Sequence, residues 1–122
     1  MPRLMSVSLT EPQVRARSKT VTRRDGWWED KHGKRMLKPG DRLTLVRKAM
    51  GLRKGEHAER VAEVEVVSVR RERLDSITRD EIIAEGFADM TPAEFITFFC
   101  TSHKGCQPDS IVTRIEWRYL SA

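Results

Sequence analysis

Apolar and polar residues alternate at the start of the chain: Met5, Val7 and Leu9 recur every second position in MPRLMSVSLT, the pattern of a short half-buried strand. Thr10-Glu11-Pro12-Gln13 then offers the hydroxyl, early proline and Gln of a capping box, predicting a short helix over 11–17 that ends at Arg15 and Arg17. The β-branched run from Lys19 to Arg24 reads as extended. Between Asp25 and Met36 no period survives, and two glycines among many charges mark an exposed excursion carrying Trp27 and Trp28. Lys38-Pro39-Gly40-Asp41 is a turn, after which Leu43 and Leu45 alternate as in a strand; a basic loop is expected at 50–57.

The longest strand candidate covers 59–73, where Ala62, Val64 and Val66 give way to Val67 and Val69 in the opposite phase. Such a switch predicts a bulge, a tight bend or burial on both faces. Thr78-Arg79-Asp80-Glu81 is a second capping box, opening a helix over 79–85 that buries Ile82 or Ile83 and stops at Gly86. Thr91-Pro92-Ala93-Glu94 is a third, and the helix it opens sets Phe95, Phe98 and Phe99 at i, i+3 and i+4, a core stripe. In the closing SIVTRIEWRYL, Ile111, Thr113, Ile115, Trp117 and Tyr119 share one face of a strand. Four or five strands around short capped helices make a small α+β domain, most naturally a curled sheet or barrel.

Length agrees with one domain over 1–122, able to bury about two-thirds of its unfolded surface in a single core. No apolar run approaches the roughly 20 residues that cross a bilayer, and MPRLMSVSLTEPQ lacks the apolar stretch of a signal peptide, so a cytoplasmic protein without membrane contact is expected. Two cysteines are too few for a disulfide framework. Charge is unevenly spread: residues 1–73 carry 19 Lys/Arg against 10 Asp/Glu, whereas 74–122 carry 4 against 8. That asymmetry points the first half toward a polyanion, with a solvated charged surface as the alternative. Nothing in the sequence sets an oligomeric state.

Among chemical motifs, Walker loops, GxGxxG, GxSxG and HExxH are absent. Cys100-x2-His103-x2-Cys106 offers three zinc-compatible side chains where a structural zinc takes four, so no metal or other cofactor is expected. The distinctive segment is Arg17-Ser18-Lys19-Thr20-Val21-Thr22-Arg23-Arg24, a lysine three residues before a threonine inside a run of arginines suited to phosphate oxygens. On a regular strand Lys19 and Thr22 would project to opposite faces, so a shared site requires a turn or bulge between them. The alternative is an edge strand protected by its charge.

Lys19-x-x-Thr22-x-Arg24, the turn Leu37-Lys38-Pro39-Gly40-Asp41, Ile83-Ala84-Glu85-Gly86-Phe87 after a short helix and the ending Val112-Thr113-Arg114-Ile115-Glu116-Trp117 together resemble the ASCH domain (activating-signal-cointegrator homology) of the PUA-like superfamily. The resemblance covers nearly the whole chain and implies a PUA-like small β-barrel of mixed strands with short flanking helices beside a cleft. The family pattern GxKxxExR falls on Arg17, Lys19, Thr22 and Arg24, with arginine for the glycine and threonine for the glutamate. Small bacterial ASCH proteins that hydrolyse the amide of N4-acetylcytidine also carry threonine there. By that resemblance the catalytic set is Lys19, Thr22 and Glu85.

Two functions follow as expectations. In the first, Thr22 attacks the acyl carbonyl, Lys19 takes its proton and Glu85 passes a proton to the leaving amine, which requires burial or a neighbouring cation such as Arg23 or Arg24 to lower the Lys19 pKa. In the second, a non-catalytic module binds RNA or another single-stranded nucleic acid through Arg15, Arg17, Arg23 and Arg24, with Trp27 or Trp28 stacking on a base. The tryptophans could equally anchor their own loop. A ribonuclease would use the same cleft, but no pair of acid and base histidines supports it.

Overall fold

A computed structural model describes residues 3–47, 55 and 59–120. The basic loop expected at 50–57 lies, apart from Gly55, outside the described residues. Five strands form one sheet: β1 (Arg3–Ser6), β2 (Val21–Arg24), β3 (Arg42–Val46), β4 (Arg60–Arg73) and β5 (Ile111–Tyr119), in the order β1-β3-β4-β5-β2. Only β1 and β3 run parallel among these pairs; the others are antiparallel. Three helices complete the fold, α1 (Glu11–Arg15), α2 (Arg79–Glu85) and α3 (Pro92–Ser102). The result is the expected α+β architecture, a mixed half-barrel flanked by short helices.

Alternation along the strands builds the first core. Met5, Leu43, Leu45, Val64, Val66, Ile115 and Trp117 point into the curve of the sheet, joined by Val7, Val14 and Leu37. The phase switch in β4 resolves as a bulge: Val66 faces Trp117, Ser68 faces Glu116, and Val67 is the extra residue, turned out and 44% exposed. Val69 therefore returns to the core side. On β5, burial extends to both faces. Val112 joins Leu74, Ile77, Ile82, Phe95 and Phe99 in a second core under α2 and α3, while Ile111 is exposed.

The helices follow their caps. Thr78 accepts from the Glu81 amide, and Thr91 and Glu94 complete a reciprocal box at the start of α3. Thr10 does not cap α1. It is buried at the end of a tight 8–10 turn that runs directly into the helix, and its side chain makes no capping bond. α1 also stops two residues short of 17, closed by bonds from Arg17 N to Val14 O and from Ser18 N to Gln13 O, both 2.9 Å. This closure demands a left-handed residue, and Arg17 takes it at φ 61°. The position where the family pattern has glycine is thus one that glycine fits without strain, and arginine holds it at a cost of about 1 kcal/mol.

Gly86 (φ 98°) ends α2 in the same way, with Gln13 Nε2 donating to its carbonyl at 2.8 Å. A Cβ at Gly86 would lie 3.3 Å from the Gln13 side chain, so glycine lets the two helix ends meet. The Thr20 amide donates to Ala84 O at 2.8 Å and tightens the junction. Together these contacts set the last residue of α2, Glu85, against the segment that leads into β2.

Candidate functional site

Lys19 precedes β2 rather than belonging to it, so strand alternation does not govern its direction. Its carbonyl accepts from Trp117 Nε1 at 3.1 Å and from the Tyr119 hydroxyl, and this double anchor leaves the side chain turned inward. Thr22, at the second position of β2, is buried too. Lys19, Thr22 and Glu85 line one cleft of about 200 Å³ together with Arg23 and Arg24. The obstacle raised by strand alternation is removed by where the strand begins.

Lys19, Arg23 and Arg114 each meet a glutamate carboxylate here, and Arg70 pairs with Glu72 at 3.3 Å from the outer side. Lys19 Nζ donates to the Glu85 carbonyl at 2.6 Å and lies 3.4 Å from Glu85 Oε1. Arg23 Nη1 donates to Glu85 Oε2 at 3.0 Å, while its Nη2 reaches Glu72 at 2.6 Å and Glu81 at 2.9 Å. Arg114 donates to both Glu81 oxygens from the neighbouring strand. Lys19 and Glu85 are each 2% exposed, so this pair sits out of bulk water, where an unpaired charge is costly, while Glu72 and Glu81 remain partly exposed.

Burial pushes the Lys19 pKa below its ordinary 10.5; Glu85 opposes this, and the Arg24 and Arg23 charges reinforce it. The ammonium also lies 5.9 Å from the ring centres of Phe87 and Trp117. Arg24 Nη2 donates to Ser6 O at 2.7 Å, and burial lowers its pKa as well. Opposite these charges stands an apolar wall. Phe87, Phe95 and Phe98 pack with centroids 5.3–6.3 Å apart, and Leu9, 73% exposed, stands at the rim. Phe95 and Phe99 are buried as the expected stripe, and both line the cleft together with the half-buried Phe98.

Three contributors were not singled out from the sequence: Glu72, Glu81 and Arg114. Glu81 and Glu85 carry a usable signal, since their spacing of four puts both on one face of a seven-residue helix. Glu72 and Arg114 are brought together only by the β4–β5 pairing, which no local pattern announces.

The residues expected to grip nucleic acid do not form one surface. Arg15 and Arg17 line a separate, larger cavity of about 350 Å³ beside Tyr119, which lacks the lysine, threonine and glutamate set. Arg15 pairs with Glu11 at 2.9 Å, and Arg17 lies over the Tyr119 ring at 5.6 Å. Arg23 is enclosed by glutamates. Trp27 packs against the first core, and the Trp28 ring is covered by the Arg35 guanidinium at 3.4 Å. Both tryptophans therefore anchor the 25–37 excursion to its own protein.

The Arg114 and Arg23 guanidiniums hold the Glu81 carboxyl at about 2, below its ordinary 4.5. A carboxylate whose pKa is lower in the folded chain stabilises it fully above the unfolded value, and that contribution fades as pH falls from about 4.5 to about 2. The midpoint of urea unfolding is expected to drop across this window, and Glu81→Gln to flatten the drop. An identical slope in the two proteins would show that Glu81 does not carry it.

No protein-family model matches the chain, and neither does any curated protein. Solved structures do. The crystal structure of an ASCH domain from Lactobacillus crispatus superposes with a TM-score of 0.65 at 14% identity, over 91% of this chain and 70% of that one. The chain has an ASCH-like fold. Protein EF3133 from Enterococcus faecalis matches with a TM-score of 0.68 and 13% identity, covering 98% of this chain and 77% of its own. The hypothetical protein PH0355 matches with 0.62 and 16%, covering 98% and 97%. At these identities the likeness is one of fold. Within this ASCH-like frame, the cleft lies where the end of α2, the start of β2 and α3 meet. No helix among the described residues is long and apolar enough to cross a membrane.

Proposed function

We propose that the cleft binds a modified nucleoside and hydrolyses the amide of an N4-acylated cytidine. The observation that carries this reading is the convergence of Thr22, Lys19 and Glu85 on one small cavity, with Lys19 desolvated enough to lower its pKa. The volume, about 200 Å³, falls below the roughly 300–1,000 Å³ of drug-sized sites and suits one base with a short acyl chain better than a polymer. The phenylalanine wall supplies an apolar surface for the base and acyl group.

In the proposed reaction, neutral Lys19 takes the Thr22 hydroxyl proton as Oγ1 attacks the acyl carbon. Arg24 lends positive charge to the resulting oxyanion. The carbon–nitrogen bond breaks, and the proton held by Lys19 passes through Glu85 to the leaving cytidine amine. Water then attacks the Thr22 ester, giving its proton to Lys19, and the bond to Oγ1 breaks as that proton returns to Thr22. Carboxylic acid and cytidine leave, and every side chain regains its starting state.

The test is incubation of the purified protein with N4-acetylcytidine and longer N4-acyl homologues, with cytidine quantified. Steady release sustains the reading. A non-catalytic RNA-binding role, drawing on exposed Arg15 and Arg17 and the basic first half, is the second reading. Absence of turnover together with RNA binding that weakens as salt rises would favour it, with Arg17→Ala lowering the salt slope by about one.

A further inference from the structure

The two cysteines take no part in the chemistry above, yet the fold brings them together. Cys100 lies in the last turn of α3, and Cys106 follows a reversal through Gly105 (φ 78°), where the Cys106 amide donates to His103 O at 3.1 Å. Both are unbridged and half-buried, with their Sγ atoms 2.7 Å apart. A disulfide sets its sulfurs about 2.05 Å apart, so bonding requires them to close by less than about 1 Å. The residues between them are not remote from the cleft. Ser102 and His103 line it, and the His103 ring stacks on Phe99 at 4.0 Å with its Nδ1 2.8 Å from Phe99 O.

We propose that Cys100 and Cys106 form a thiol–disulfide modification site that clamps the α3 wall of the cleft. The oxidant class is a peroxide. Cys106 Sγ attacks one peroxide oxygen, the S–O bond forms and the O–O bond breaks. The thiol proton leaves with the displaced oxygen as water, and Cys106 is left as a sulfenic acid. Cys100 Sγ then attacks the Cys106 sulfur; the S–S bond forms, the S–O bond breaks, and hydroxide departs with the Cys100 proton as a second water. Two thiols lose two electrons, and hydrogen peroxide is reduced to two waters. Burial and the neighbouring Cys106 push the Cys100 thiol up, and the exchanged order, with Cys100 attacking first and Cys106 resolving, gives the same disulfide and the same two waters. The site stands whether or not the cleft hydrolyses an amide.

The experiment treats the whole protein with a small excess of hydrogen peroxide and follows intact mass, free thiols and amide hydrogen exchange. The expected product is a monomer-linked species about 2 Da lighter with both thiols consumed, restored by dithiothreitol. Exchange of the 100–106 amides is expected to slow by about tenfold or more. Cys100→Ser is expected to stop at a Cys106 sulfenic acid that dimedone traps. Dimedone-labelled Cys106 in wild type, a disulfide between two chains, or unchanged exchange in the oxidised protein would each overturn the proposal.

Discussion

Lys19→Met is expected to lower kcat/KM for N4-acetylcytidine by about 100-fold or more, the range a general base contributes, while leaving the protein folded. Methionine keeps the aliphatic length and removes the ammonium. What is lost structurally is the donor to the Glu85 carbonyl at 2.6 Å; what is gained is relief from burying a charge that is 2% exposed. These effects oppose each other, and Glu85 keeps Arg23 at 3.0 Å, so the net change in unfolding free energy is expected within about 1 kcal/mol. A pH series separates base catalysis from mere packing. Since burial lowers the Lys19 pKa below 10.5, wild-type kcat/KM should rise with pH through one ionisation below that value. The linked stability has the same sign. Charged Lys19 destabilises the folded chain fully below its folded pKa, and this burden lifts as pH climbs toward 10.5. Wild type should therefore gain stability relative to Lys19→Met as the solution becomes alkaline. Full turnover in Lys19→Met would remove the lysine from the chemistry.

The parts of the fold written in short stretches of sequence were legible. Thr78 and Gly86 bracket α2 and the Thr91–Glu94 box opens α3 because caps act within four residues, and the β4 bulge showed as a slip of period two. Thr10 carried the same cap signal and failed, since the preceding turn buries its side chain. The candidate site was legible in membership more than in geometry. Alternation set Lys19 against Thr22, and what overrides it is nonlocal: Trp117 and Tyr119, almost a hundred residues on, fix the Lys19 carbonyl. The arginine-rich run likewise looked like a phosphate-binding surface. Its charge is largely turned inward, because Arg23 meets Glu72 and, from the acidic end of the chain, Glu81 and Glu85. Net charge along the sequence thus overstated the cation left for a polyanion, and no local pattern records that neutralisation.

The inward spending makes Glu85 the residue whose loss should cost most stability. Glu85→Ala removes a carboxylate whose side chain is 3% exposed and leaves the Lys19 ammonium and one Arg23 nitrogen facing the vacated space. Breaking a buried pair from one side typically costs about 3–5 kcal/mol. Arg23 retains Glu72 and Glu81, so the lower end, about 3 kcal/mol, is expected by urea denaturation. The damage has a pH signature of its own. Glu85 is the group that raises the Lys19 pKa, and without it the lysine releases its proton more readily. The variant should therefore be most destabilised where Lys19 is charged and recover as pH climbs toward 10.5 and Lys19 becomes neutral. Combining it with Lys19→Met removes the stranded charge, so the double variant should lose clearly less stability than the sum of the two single changes. A cost below about 1 kcal/mol, or strict additivity, would mean that Lys19 and Glu85 do not act as a buried pair. Turnover should be read in Glu85→Gln, which keeps the side-chain volume: lost activity there, with the fold intact, would separate proton transfer by Glu85 from its part in holding the cleft together.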